Sequence, residues 1–358
     1  MLTLGIESSC DETAAAVLKE GNRLLSNVVA SQSKIHHHFG GVVPELASRE
    51  HIRTICYVVE KALYKAKTDF EYIDEIAVTK GPGLMGALLV GLTYAKSLAF
   101  SLKVPFVGVN HLEGHIASVL LEHPSAEFPA LSLVISGGHT SLYHMKSPTQ
   151  LEMIAQTLDD AAGEALDKLG KLMGLGYPGG PVIDRLAPFG NSHAVRFSLP
   201  KISSGKLAFS FSGLKSAAVR YVAKQKITPL KKGTKVDPEN LSQDFLDLLS
   251  SYQKSVVDQV IDRLDKGLKG NNIRSIQISG GVSCNSELRK RTRKHFQNLG
   301  IHVYYPSPQL TTDNAAMIAV AGHLRLKSGE KDSWDLKADS NLPLHGIYAS
   351  KNKSYLPT

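Results

Sequence analysis

Cysteine is scarce in this chain of 358 residues: Cys10, Cys56 and Cys284 are an odd set that cannot build a disulfide framework. That excludes a disulfide-stapled scaffold and favours a reducing compartment. A basic amino-terminal region is also missing, and Glu7, Asp11 and Glu12 interrupt what would be the apolar core of a signal peptide. A cytoplasmic location is therefore expected. Long apolar runs are nearly absent. The exception, Gly81 to Leu102, holds Lys96 and four glycines, so it reads as a buried helix of an α/β domain and no membrane association is expected. With 42% hydrophobic and 21% charged residues, the chain is neither disordered nor fibrous.

Acidic residues are short by eight, and the deficit is local. Residues 1–110 carry 11 basic and 11 acidic side chains, and residues 111–200 carry 5 and 9. Residues 201–240 carry 9 and 2, and residues 241–358 carry 16 and 11. The positive excess thus belongs to the second half, where Lys231, Lys232, Lys235 and the run Arg289, Lys290, Arg291, Arg293, Lys294 form the expected contact for a polyanion.

The length suggests two domains, and the pattern repeats itself. Strands are expected at Leu2–Ile6, Ala14–Leu18, Leu24–Val29, Ile73–Val78 and Val104–Val109, with helices at Arg49–Ala66 and Ala87–Leu102. From Ala130 the order starts again: strands at Ala130–Ser136, Ser141–His144, within Gln150–Leu158, at Ile273–Ser279 and Ile301–Tyr305, and helices at Phe245–Leu268 and Glu287–Leu299. A last helix is expected over Asp313–Leu326. Two such copies imply an α/β protein of two similar lobes across a cleft. The expected division is 1–128 for the first lobe, 129–326 for the second with an insertion at about 159–244, and 327–358 as a tail. Within the insertion, 175–181 reads as a multiple turn and 224–240 as an exposed loop.

The glycine turns Ser136-Gly137-Gly138 and Ser279-Gly280-Gly281 end comparable strands, and Gly179-Gly180 adds a third pair. Alone, each reads as a hairpin turn; together they suit a nucleotide phosphate, whose oxygens can accept from closely approaching amides. His111 and His115 share one helical face and suit a divalent metal, whereas Glu113 points roughly opposite at about 100° per residue and cannot serve as a metallopeptidase base. Asp313 is the candidate third ligand, although its position before a helix equally suits an N-cap, the reading the residues alone favour. Asp11 and Glu12 lie in a polar turn where carboxylates could orient an amine or accept a proton, or simply be solvated. His36-His37-His38 reads as a loop near substrate, and Asp159, Asp160, Glu164 and Asp167 as a largely solvated helix face.

In order along about nine tenths of the chain, these runs resemble the tRNA adenosine threonylcarbamoyltransferases. The resemblance rests on Gly5–Thr13, Gly40–His51, Gly81–Leu84, Val109–His115, Ser136–Thr140, Asp159–Asp167, Gly176–Pro181, Phe209–Lys215, Ser279–Asn285 and Thr312–Ala316. It implies two duplicated lobes of the actin, Hsp70 and sugar-kinase type around a central nucleotide cleft. It implies one divalent metal, iron or else zinc, on His111, His115 and Asp313, which reverses the cap reading of Asp313. It implies that threonylcarbamoyl-AMP is held by Val134, Ile135, Ser136, Gly137, Gly138, Asp167, Gly180, Asp184 and Asn285, with Asp167 and Asp184 toward the ribose. The acceptor implied is the adenosine 3′ of the anticodon in tRNAs reading codons that start with adenine. Bacterial members work with a degenerate paralogous subunit and a small ATPase, while mitochondrial relatives act alone. Asp11, supported by Glu12, is the expected proton acceptor. The competing expectations are an ATP-dependent small-molecule kinase and an ATP-driven binding protein of the same fold.

Overall fold

The computed structural model describes residues 1–39, 41–198, 207–231, 234 and 236–344. Strand β1 (Leu2–Glu7) buries Leu4 and Ile6 completely and is the centre from which the first sheet grows. It pairs antiparallel with β2 (Glu12–Lys19), which pairs antiparallel with β3 (Arg23–Ser31). On its other side it pairs parallel with β4 (Glu75–Gly81), and β4 with β5 (Phe106–Asn110), for the order β3-β2-β1-β4-β5. The short α1 (Ser33–His36) and the long α2 (Pro44–Ala66) join β3 to β4, and α3 (Met85–Leu102) joins β4 to β5. Pro44 opens α2 because its fixed φ and missing N–H cost nothing in a first turn.

The second sheet repeats this plan. Strands β6 (Ala130–Ile135), β7 (Thr140–Ser147) and β8 (Gln150–Gln156) pair antiparallel in succession. Strand β9 (Ser275–Ser279) pairs parallel with β6 and β10 (His302–Tyr304) parallel with β9, giving β10-β9-β6-β7-β8. Read from the opposite edge, this is the order of the first sheet. Helices α5 (Ala162–Leu172), α6 (Gly179–Leu186), α7 (Ser212–Gln225) and α8 (Gln243–Leu268) fill the connection from β8 to β9, and α9 (Ser286–Gln297) joins β9 to β10.

Each fifth strand hands the chain to the other lobe. Helix α4 (His111–Glu122) follows β5 yet packs on β6 and β9. After the short α10 (Pro308–Thr311), helix α11 (Ala315–Lys327) packs on β1, β2, β4, β5 and α4. The apolar segment from Ala315 to Ala321 is entirely buried there. The sheets divide between Asn110 and Ala130, but these two helices each pack on the other sheet and lie against each other.

Several expectations change. The last helix begins at Ala315 and its cap is Asn314, whose side chain accepts from Met317 N at 3.2 Å, so Asp313 stands outside the helix and is not the cap. The stretch 175–181 is a turn only as far as Pro178, because Gly179 starts α6. Among the described residues the insertion holds three α-helices, α5, α6 and α7, and α7 extends to Gln225. Helix α3 is buried on one face only: Ala87, Leu88, Leu92, Ala95 and Ala99 pack inward, while Leu89 and Phe100 are exposed. By length and composition alone α3 could cross a membrane, but its inner face is occupied by α2 and β4.

Candidate metal and nucleotide site

The ends of β1 and β5 and the approach to α11 converge on one point. Asn110 closes β5 and caps α4, accepting from Leu112 N at 2.9 Å, while Glu113 Oε2 receives the Asn110 amide at 3.4 Å. This capping box fixes the first turn, so His111 and His115, four residues apart, face the same way. Asp313 Oδ1 lies 3.5 Å from His111 Nε2 and 3.2 Å from His115 Nε2. One ligand atom from each of the three falls within 4.8 Å of the others. Both imidazoles are buried, while Asp313 keeps 28% of its side chain exposed and leaves the cluster open on that side. Glu113 turns away, as its place on the helix required, and lies 3.5 Å from Arg325 of α11. Burial, against the charge of Arg325, pushes its pKa up to about 7.

Behind the histidines stands a carboxylate. Glu7 Oε2 is 3.1 Å from His111 Nδ1 and accepts from Thr79 Oγ1 at 2.6 Å, and the Ser9 amide donates to Glu7 Oε1. A carboxylate on Nδ1 keeps a proton there, so Nε2 is the nitrogen left to ligate once a metal displaces its proton. Burial opposes charging of both partners, but each outweighs it for the other: the pKa of His111 rises to about 9 under Asp313 and Glu7, and that of Glu7 is held below the usual carboxylate range. Asp313 too is held low, because the nearby His111 and His115 overcome its burial. Desolvation, with repulsion from His111 and His115, drives His139 down to about 4, so a neutral imidazole faces the cluster.

The donor set fits a divalent cation. Neither ring nitrogen of His115 has an aligned hydrogen bond among the described residues, although the residue is 1% exposed. Such a buried polar ring is costly unless something satisfies it. Two imidazoles and a carboxylate are the ligands of choice for iron or zinc.

The glycine turns meet beside this cluster. Strands β6 and β9 are parallel neighbours, with Val134 opposite Ser279, so Ser136–Gly138 and Gly280–Gly281 leave the sheet at the same carboxyl edge, where open α/β sheets bind ligands. Gly137 and Gly138 are exposed with open space where side chains would be, and Gly280 has φ +88° with Ile135 O filling its β-position. A side chain there would clash and strain the turn. Val134 and Ile135 are fully buried on β6, backbone included, and the half-buried Ser136 is the first residue of this run with a surface open to a ligand. Asp167 Oδ1 accepts from the amides of Gly179 and Gly180 at 2.8 and 3.0 Å, and burial raises its pKa. Asp184 accepts from Ser286 N and Oγ. Asn285 caps α9, accepting from Leu288 N, and donates to Gln253. These polar groups already have protein partners.

Asp11 and Glu12 lie where the turn after β1 runs into β2, close enough to Asp313 for its charge to act on Glu12. Burial, and then the charge of Asp11, raise Glu12 to about 8 while the Ser31 hydroxyl donates to it at 2.7 Å. His51 fastens this turn, since its Nε2 donates to Cys10 O at 2.9 Å and its Nδ1 accepts from Thr13 Oγ1 at 2.8 Å. Of the histidine run, His36 is buried against Gln32 and the Val43 amide within short helical turns, and His37 lies 3.3 Å from Tyr177 O. The side chain of His38 lies outside the described residues. Glu7, Thr79, His51, His139 and Arg325 were not expected at the site. Of these, Glu7, His51 and His139 carried a signal, each lying inside a quoted motif.

The expected polyanion surface is reduced. Arg289 donates to Ser283 O and Pro306 O over Tyr305, and Arg291 pairs with Asp258, so both are committed internally. Lys290, Arg293, Lys294 and Lys231 remain exposed, with Arg293 lying over Tyr305. Lys232 and Lys235 lie outside the described residues.

A family model described as tRNA N6-adenosine threonylcarbamoyltransferase matches residues 23–320. The curated protein of that name from Clostridium perfringens is 48% identical over 343 residues, covering 96% of this chain and 98% of the relative. Its counterpart from Koribacter versatilis is 46% identical over 374 residues, covering 95% and 98%. Among solved structures, full-length HypF in its phosphate- and nucleotide-bound form aligns with TM-score 0.58 at 15% identity over 93% of this chain and 47% of that one. Component A of the Acidaminococcus fermentans (R)-2-hydroxyglutaryl-CoA dehydratase aligns with TM-score 0.51 at 16% identity over 92% and 100%. At such identities the likeness to these structures is one of fold, the two-lobed actin, Hsp70 and sugar-kinase type.

Proposed function

The chain belongs to the tRNA N6-adenosine threonylcarbamoyltransferase family, and from that membership we propose how its residues carry out the reaction. It is a transferase that builds threonylcarbamoyl-adenosine in tRNA. The donor in this reading is threonylcarbamoyl-AMP, whose mixed anhydride is already activated, so no enzyme nucleophile is needed. The acceptor is the exocyclic amine of the adenosine 3′ of the anticodon. The new bond joins N6 to the carbamoyl carbon, the C–O bond to the phosphate breaks, AMP leaves, and one proton leaves the amine.

The protein's share is positioning and charge stabilisation. Gly137 and Gly138 offer amides to the departing phosphate at the carboxyl end of β6. The rims carrying Asp167, Gly180, Asp184 and Asn285 frame the nucleoside, and Ser136 forms the floor, with the buried Val134 and Ile135 supporting it from beneath. Asp11 takes the proton, and Glu12 supports it as a neutral carboxyl group below about pH 8. His111, His115 and Asp313 would hold iron or zinc. When bound, that ion supplies Lewis acidity toward the oxygen atoms of the threonylcarbamoyl group. Glu7 keeps His111 in the ligating tautomer.

The observation that carries this reading is the His111, His115 and Asp313 cluster beside the two glycine turns, in a chain 48% identical to a named relative over nearly its whole length. The test uses the purified protein with its donor-forming enzyme and accessory partners, unmodified tRNA, threonine, bicarbonate and ATP. Mass analysis of digested tRNA should show threonylcarbamoyl-adenosine, and its absence from a metal-replete reaction would remove the reading. A pull-down from a cytoplasmic extract should recover a subunit of the same fold and a small ATPase if the protein works as bacterial members do, or neither if it acts alone.

A further inference from the structure

We propose that residues 330–344 form a strap that sets the first turn of α4 through Asn110, and so tunes the affinity of the His111, His115 and Asp313 cluster for a divalent metal. The inference rests on the metal reading above and concerns a segment to which the sequence assigned no role.

The segment leaves α11, doubles back along β5 from Phe106, and reaches the carboxyl end of β4. Arg325 starts the path: it pairs with Glu330 at 3.0 Å and donates to Gly108 O at 2.9 Å, besides lying 3.5 Å from Glu113. Asp332 then brackets β5, its amide donating to Phe106 O and its carboxylate accepting from Gly108 N at 2.8 Å. Trp334 lays its ring 4.9 Å from that of Phe106. Further on, Asp339 N donates to Lys80 O at 2.9 Å, and Gly83 N to Ser340 O at 3.2 Å. The approach is so close at Gly81, with φ +152°, that any side chain there would collide with Asp339 O.

The last contacts reach the metal helix. Asn110 Nδ2 donates to Leu342 O at 3.2 Å while the same side chain caps Leu112 N. Two residues later Leu344 is buried among Leu112 and Ile116 of α4 and Tyr143 of the second sheet. One end of the strap therefore grips the first sheet, and the other fills the seam between α4 and the second. Asn110 is the joint, because one amide group both starts the helix that carries two ligands and holds the strap. A shift of that first turn would move His111 relative to Asp313, which comes from a different element.

Linkage gives the test two faces: if the strap strengthens metal binding, metal must stabilise the strap. The probe is zinc alone, titrated against a competing chelator. Asn110→Ser keeps a capping oxygen but cannot reach Leu342 O, and Leu344→Asp evicts the far anchor. Each should weaken zinc binding tenfold or more while leaving the circular-dichroism spectrum unchanged. Zinc should in turn slow amide exchange across 331–344 and alter the emission of Trp334, the single tryptophan. Should Leu344→Asp misfold, Asn110→Ser and the exchange experiment on the unaltered protein still decide. Unchanged zinc affinity in Asn110→Ser, or exchange in 331–344 indifferent to zinc, would overturn the strap while leaving the metal reading intact. Failure of the unaltered protein to bind zinc or iron would overturn both.

Discussion

Glu7 and His111 meet at 3.1 Å between Oε2 and Nδ1, although 104 residues separate them and they arrive on β1 and α4. The contact turns a helix residue into a ligand of defined tautomer. Removing the carboxylate charge while keeping its shape isolates that role. Glu7→Gln should lower metal affinity by about 10- to 100-fold, the usual cost of losing such an orienting partner. Chelator competition checks this, and an unchanged dissociation constant would deny Glu7 the role.

The metal-free protein carries the same contact as a pH signature. The folded-state pKa of His111, about 9, lies above its ordinary value of 6.5, so its contribution to stability is complete below about pH 6.5 and lost as pH rises through 9. Glu7 and Asp313 are depressed, so theirs is present above the ordinary carboxylate range and lost in acid. Relative to a His111→Gln variant, the chelator-treated protein should lose about 1–3 kcal/mol of stability between pH 6.5 and 10. Parallel melting curves for the two proteins across that range would contradict it.

Asp11 and Glu12 should separate cleanly. Asp11→Ala should still bind donor but transfer at least about 100-fold more slowly, as expected for loss of a general base. Glu12 is largely protonated at pH 7, so Glu12→Gln should transfer within about twofold of the parent there and diverge above pH 8, where only the parent gains a charge. Single-turnover rates at pH 7 and 9 distinguish these outcomes. A normal rate in Asp11→Ala would exclude it as the base.

For tRNA binding, the exposed lysines should matter more than the committed arginines. Lys290→Glu with Lys294→Glu should weaken tRNA binding about tenfold in low salt and flatten its salt dependence, because each phosphate contact adds to the slope. Charge reversal at Lys231 tests the insertion in the same way. Unaltered affinity and slope in all three would move the tRNA to another face.

The duplication was legible because strand periodicity and glycine turns are local, and they recur in the same order after residue 129. The histidine pair was legible for the same reason, being set by helical spacing alone. What stayed hidden depends on long-range contact. Nothing near Glu7 announces a partner at His111, nothing in 330–344 announces a bond to Asn110, and Arg289 and Arg291 look like surface charge until Tyr305 and Asp258 fold against them. Asp313 shows the limit most plainly, because a neighbour, Asn314, supplies the cap for which Asp313 was the obvious candidate.

Because α11 lies on the first sheet, the amino-terminal lobe is not finished when its own strands are. Roughly 200 residues separate Asn110 from Ala315, and at ribosomal rates of about 5–20 residues per second that is a wait of about 10–40 s. Throughout it, the face of β1, β2 and β4 that α11 will cover stays open. Until α11 is made, the helix that covers this face in the finished fold is missing, so the amino-terminal lobe is completed only from the end of the second.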